Sequence, residues 1–192
     1  MRSVQKEQLL NHLEQVSSLT NEYANSNPNY VENIAAWLES AEKILQQFRH
    51  PMASTIATER GKVLAMKDGR IDARLVDPSV PKRKAQRIVA SACLSGVVSI
   101  LSEIVEQIDR EFDQMKEKIA QLLAISSTRE PIPMPPENNS REAWLMGIWK
   151  SLAGGETHSM YQYINTTLPM VDRLYILDRL LDNLLESVEP PN

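Results

Sequence analysis

The stretch VPKRKAQRIVASACLSGVVSILSEIVEQIDREFDQMKEKIAQLLAI, residues 80–125, decides the fold class. It holds no proline after Pro81. Val97, Leu101, Ile104, Ile108, Phe112, Met115, Ile119 and Leu122 recur in steps of three and four, the period of an apolar stripe on an α-helix. Ser79 is placed to cap such a helix, and Pro81 suits its first turn. From Ile88 to Ser102 there is no charged residue, which predicts burial nearly all round; the later half is amphipathic, with a strongly charged back. A single helix of this length would span ~68 Å. A compact chain of 192 residues has a radius of gyration of only ~16 Å. Either the helix breaks, with Gly96 the natural point, or the molecule is elongated and exposes a seam that a partner covers.

The flanking segments share this periodicity. Leu9, Leu10, Leu13, Val16 and Leu19 predict an amphipathic helix from about Val4 to Tyr23, ended by Asn-Ser-Asn-Pro at 25–28. Val31, Ile34, Leu38, Ala41, Leu45 and Phe48 form a heptad seam, which His50-Pro51 stops or kinks. Met52, Ile56, Val63 and Met66 continue the pattern to Asp68-Gly69. Pro131, Pro133, Pro135 and Pro136 mark a stiff extended linker. Beyond it come a helix from about Glu142 to Leu152, a Gly154-Gly155 turn, a helix near Glu156 to Ile164, and a last helix from Thr167 or Pro169 to about Val188. The last carries a leucine stripe, and Asp178, Asp182 and Glu186 lie away from it as a solvated face. No segment alternates as a strand does. The expected fold is all-α: an elongated antiparallel helical bundle of long coiled-coil-like helices (1–127), a Pro-rich linker (128–140) and a small C-terminal helical subdomain (141–192), which could pack as one domain with the first.

Composition narrows the function. The chain is 42% hydrophobic and 24% charged, which excludes a disordered chain. A single cysteine, Cys93, excludes an intrachain disulfide and any zinc site needing two cysteines. Cys93 lies in the apolar run, so it is expected to be a buried and unreactive thiol. Lys6, Glu7 and Glu14 interrupt the first twenty residues, so no signal-peptide core is present, and the uncharged run of fifteen falls short of a membrane span. We therefore expect a cytoplasmic protein with no membrane partner.

The net charge of -4 is unevenly spread. Seven basic residues (Lys67, Arg70, Arg74, Lys82, Arg83, Lys84, Arg87) and three acids (Asp68, Asp72, Asp77) give residues 67–87 a net +4, leaving -8 elsewhere. Cations in a first helical turn oppose the helix dipole at ~0.3–1 kcal/mol each. Lys82, Arg83, Lys84 and Arg87, with Arg70 and Arg74 nearby, are therefore candidate ligands for an anion, since the free N–H groups of a helix start point the same way. A solvated turn is the structural alternative. Ser91, Ser95, Gly96 and Ser99 place small residues on one helix face; with Ile104 and Ile108 they are candidates for a tight helix–helix or dimer contact, or for ordinary core packing.

The carboxylates Glu103, Glu106, Asp109 and Asp113 also follow three- and four-residue steps. Glu103-x-x-Glu106-x-x-Asp109, with Glu39-x-x-Glu42, resembles in a few residues the magnesium-holding Glu-x-x-Glu and Glu-x-x-Asp pairs of all-helical nucleotide pyrophosphatases. That resemblance implies magnesium-dependent nucleotide hydrolysis using Glu103 and Glu106, but the fragments overlap on one helix instead of forming two separated sets. None of His12, His50 and His158 follows a glutamate at the ferritin-like spacing, and no phosphate-binding loop, dinucleotide loop or nucleophile elbow occurs. No catalytic residue, metal ligand or cofactor is assigned. The leading expectation is a non-catalytic interaction or scaffold protein whose partner is another protein or a second copy, as a homodimer through the long helices. The first alternative is a nucleic-acid or phosphoanion binder through residues 82–87; the second is the magnesium enzyme.

Overall fold

Every regular element in the described residues of the computed structural model is helical. It describes residues 1–70, 76, 77, 79–135 and 140–188, the last four of these as backbone only. The helices are α1 (Arg2–Glu14), α2 (Val16–Ala24), α3 (Tyr30–Gln47), α4 (Ala53–Lys67), α5 (Lys82–Ser127), α6 (Arg141–Ser151), α7 (His158–Thr167, after a 3-10 turn at Gly155–Thr157) and α8 (Met170–Val188). The all-α expectation holds. The chain divides into two compact units, Val4–Glu106 and Met1–Ser3 with Gln107–Asn192. The Pro-rich stretch lies inside the second.

In the first unit, the helix expected from Val4 to Tyr23 is two helices that meet at Gln15. The His12 carbonyl accepts from the Trp37 indole N–H at 3.1 Å. The Gln15 N–H also turns to that carbonyl, at 3.3 Å. A side chain drawn into the helical ladder bends it there. In return His12 Nε2–H donates to the Trp37 carbonyl at 3.1 Å, and the two rings stack with centroids 4.4 Å apart. Burial holds the His12 imidazole below its ordinary range, against the opposing pull of the Trp37 carbonyl.

Helix α3 stops at the predicted place. Arg49 takes a left-handed conformation (φ 52°), with its N–H on the Gln46 carbonyl and the His50 N–H on the Leu45 carbonyl. This is the Schellman ending, usually left to glycine. Gly69, at φ 85°, ends α4 the same way. Helices α3 and α4 run antiparallel, because their ion pairs advance in opposite order: Glu42 with Arg60 at 3.0 Å, Glu32 with Lys67 at 3.1 Å.

Helix α5 is one element with Gly96 inside it. Its whole predicted stripe, Val97 to Leu122, is buried within the chain. The seam expected to await a partner is therefore already covered. Ile104 and Ile108 belong to it, so neither offers a surface to a second copy. The uncharged run differs from expectation in the other direction. Cys93, Leu94, Val97 and Leu101 are buried, but Ile88, Ala92, Ser95, Gly96 and Ser99 are exposed. One stripe of a helix suffices to meet a core, and the small neutral residues on the far side carry little apolar area to hide. By length and composition alone an 18-residue window of α5, with mean hydropathy 2.0, is enough to cross a membrane; 44% of that window is buried in the chain.

The second unit has its own core. Ile108, Phe112, Ile119 and Leu122 of α5 are buried there, as are Leu145, Ile148, Trp149, Leu177 and Leu181. Arg141 pairs with Asp178 at 2.7 Å and also with Asp182, so on this solvent-exposed face the two acids link α6 to α8. The side chain of Glu186 lies outside the described residues. The Asp172 carboxylate, fully buried, accepts from the N–H groups of Arg2 (2.8 Å) and Ser3 (2.9 Å) and from the Ser3 hydroxyl. It closes the N-terminus of α1 from a distant part of the sequence. Trp144 N–H donates to the Pro133 carbonyl at 3.0 Å and so pins the Pro-rich stretch.

Candidate functional site

The start of α5 is set by its neighbours. Its first helical residue is Lys82, and the Ala85 N–H bonds the Pro81 carbonyl at 3.0 Å, so Pro81 holds the cap position without a capping side chain. Ser79 is not the cap. Its N–H donates to Asp77 Oδ1 at 2.8 Å, within a turn that ends before the helix. That bond, with the Ser79 hydroxyl, holds the Asp77 carboxyl below its ordinary range. The first turn of α5 contains no acid, and Asp77 stands before the helix in that turn.

Two contacts fix α5 to the end of α4. The Gln86 side-chain amide donates to the Lys67 carbonyl at 3.3 Å and to the Met66 carbonyl at 3.0 Å, the latter shared with the Gly69 N–H. The Lys82 ammonium lies over Gly69, where an added Cβ would meet it at 3.0 Å. There it faces the negative end of the α4 dipole, and it is not among the residues lining the cavity described below.

Arg87 is fixed on the other side. Its guanidinium lies 4.8 Å from the ring centre of Tyr23 and 5.6 Å from that of Tyr30, and its Nη2 donates to the Tyr23 carbonyl. Tyr30 meets Tyr23 edge-on at 5.4 Å. Burial raises the Tyr30 phenol above its ordinary range, against the opposing pull of the nearby Ser91 side chain, which places α3 beside α5 here. Ser91 therefore works inside the chain, and the exposed small face consists of Ala92, Ser95, Gly96 and Ser99.

These constraints leave an open cavity of about 700 Å³ lined by Tyr23, Asn27, Glu32, Lys67, Arg83, Lys84, Gln86 and Arg87 among others. Among the described residues, four cations and one carboxylate line it. That carboxylate, Glu32, is already paired with Lys67, which holds it below its ordinary range. Among the described residues Arg83 and Lys84 have no ion-pair partner. Both are exposed, and both sit where the N–H groups of the first turn of α5 lack acceptors within the helix. Of the predicted anion ligands the structure thus brings together Arg83, Lys84 and Arg87. Arg70 is exposed and is not among the residues lining the cavity, and Arg74 lies outside the described residues.

Lys67, Tyr23 and Gln86 were not foreseen as parts of a site. Lys67 belongs to the same basic block and could have been included on charge alone. Tyr23 is more than sixty residues from Arg87 in sequence, and no local pattern joins them.

The other candidates are accounted for within the chain. Cys93 is buried, and its thiol is pushed up to about 12, first by burial and then by Glu59, so it is not a nucleophile at neutral pH. Glu39 pairs with Lys43 at 2.7 Å and Glu42 with Arg60, while Glu103 and Glu106 are exposed on α5. Among the described residues no group of three His, Cys, Asp or Glu side chains is placed to hold a metal ion. No family model, no curated protein and no solved structure matches the chain.

Proposed function

We propose that this chain is a non-catalytic binding protein whose cleft at the start of α5 holds a phosphate-bearing ligand. One observation carries the reading: Lys67, Arg83, Lys84 and Arg87 line a single cavity in which, among the described residues, Glu32 is the one carboxylate and is paired with Lys67, leaving three cations in excess. Like charges so gathered repel one another, and a bound anion relieves that repulsion. The helix N-terminus adds N–H donors of matching sign. The test is equilibrium dialysis with labelled inorganic pyrophosphate at roughly 50 and 200 mM salt, salt dependence being the mark of phosphate contacts. Binding should weaken at the higher salt and disappear in Arg83→Glu/Lys84→Glu. Salt-independent binding, or binding unchanged in the double variant, counts against the cleft.

A second reading is a cytoplasmic interaction protein that pairs with a second copy. It is favoured by the exposed uncharged face Ile88, Ala92, Ser95, Gly96 and Ser99, beside which an added Cβ at Gly96 would meet nothing within 4 Å. Light scattering decides it: a mass of 21.7 kDa at all concentrations removes the homodimer.

A further inference from the structure

The cleft has features that narrow its ligand beyond a phosphate group. Its volume of about 700 Å³ falls in the range of roughly 300–1,000 Å³ typical of small-ligand sites. The charge around it favours a compact anion over a long one. Residues 67–87 net +4 while the remainder of the unit Val4–Glu106 nets -4, so the positive charge that would hold an anion is confined to one stretch of an otherwise acidic unit. Several phosphates concentrated within about one screening length (~8–10 Å) experience the cleft alone. The wall also carries an aromatic ring. Tyr23 is 40% exposed, and its orientation is fixed by the Arg87 guanidinium over one face, by the bond from Arg87 to its own carbonyl, and by its contact with the Tyr30 ring at 5.4 Å. A pre-oriented ring beside a cationic pocket offers a base a surface to stack on at small entropic cost.

We propose that the cleft binds a nucleoside di- or triphosphate, with its contiguous phosphates held by Lys67, Arg83 and Lys84 and its base stacked on Tyr23. This rests on the phosphate reading given under Proposed function. Inorganic polyphosphate shares the phosphate chemistry and lacks the base, so it separates the two parts of the assignment.

The experiment is isothermal titration calorimetry at roughly 50 mM salt. ATP, inorganic tripolyphosphate and a single-stranded DNA 20-mer are titrated into wild type, Tyr23→Leu, Tyr23→Phe and Arg83→Glu/Lys84→Glu. ATP should bind more tightly than tripolyphosphate by about 5- to 150-fold, the usual worth of one base–aromatic stack. Tyr23→Leu should erase that advantage and leave tripolyphosphate binding within about twofold, whereas Tyr23→Phe should keep it, since the ring face and not the hydroxyl makes the stack. The double charge reversal should remove both ligands. Equal binding of ATP and tripolyphosphate by wild type overturns the base assignment whatever the variants do, as does an advantage that survives Tyr23→Leu. Binding of the 20-mer without binding of ATP overturns the compact ligand and leaves the phosphate reading standing. Binding of none of the three probes overturns both.

Discussion

The two units treat their arginines differently. In the unit Met1–Ser3 with Gln107–Asn192, arginines have internal partners: Arg141 holds Asp178 and Asp182, Arg129 holds Glu156 at 3.3 Å, Arg179 lies over Tyr175 and Arg173 over Trp149. Arg173 is buried enough that desolvation lowers its pKa. In the unit Val4–Glu106, Lys82 and Arg87 are likewise anchored, but Arg83 and Lys84 open onto a cavity with no partner among the described residues. A count of basic residues does not separate these cases. The candidate site lies where cations are gathered and the described residues supply few counter-charges.

If that contrast is right, substitutions in the paired unit cost stability and those in the cleft cost binding. The largest effect is expected at Trp149, which is fully buried, stacked on Tyr161 at 5.2 Å and hydrogen-bonded to Asn165 at 3.1 Å. Trp149→Ala should lower the unfolding free energy by about 3–5 kcal/mol in urea titrations. A loss under about 1 kcal/mol would mean that this core does not depend on the indole.

Next comes Asp172→Ala, which strands the N–H groups of Arg2 and Ser3. A buried donor left unsatisfied costs about 1–3 kcal/mol, read from the same titrations. No change would show that water replaces the carboxylate.

The cleft should behave in the opposite sense. Arg83→Glu/Lys84→Glu places acids at the helix start, where each contributes about 0.3–1 kcal/mol at low salt. The double variant should therefore melt slightly higher than wild type while losing the anion. A variant that binds nothing and is also destabilised would make the two side chains structural and erase the contrast.

The smallest effect is a pH dependence. Because burial lowers the His12 pKa, the unfolded chain takes up this proton at a higher pH than the folded chain. The stability tied to neutral His12 is whole above the ordinary histidine value of about 6.5 and is lost as pH falls from there toward the folded value. Urea midpoints measured on wild type and His12→Gln should diverge above pH 6.5 and converge at lower pH, with the carboxylates cancelling in the difference. A constant difference would show that the proton plays no part.

Much of the fold was legible because helical periodicity is local. The stripe from Val97 to Leu122, the stop after Phe48 and the stop at Gly69 all appear as written, since spacing and turn chemistry act within a few residues. The break at Gln15 was not legible. It depends on Trp37 reaching the His12 carbonyl from another helix. The run from Ile88 to Ser102 was misread for a related reason: absence of charge permits burial on every face, and only the neighbours decide which face is covered.

The candidate site divides the same way. Sequence by itself determined that the chain is helical, that its basic residues gather between 67 and 87, and that Cys93 sits in an apolar run. Tertiary structure decided which of those cations meet. It brought Lys67, Arg83 and Lys84 to one cavity with Gln86 docked on the end of α4, laid Lys82 over Gly69, and set Tyr23 against Arg87 across more than sixty residues. Periodicity and net charge are sums along the chain, whereas a binding site depends on distances through space, which only the packed helices define.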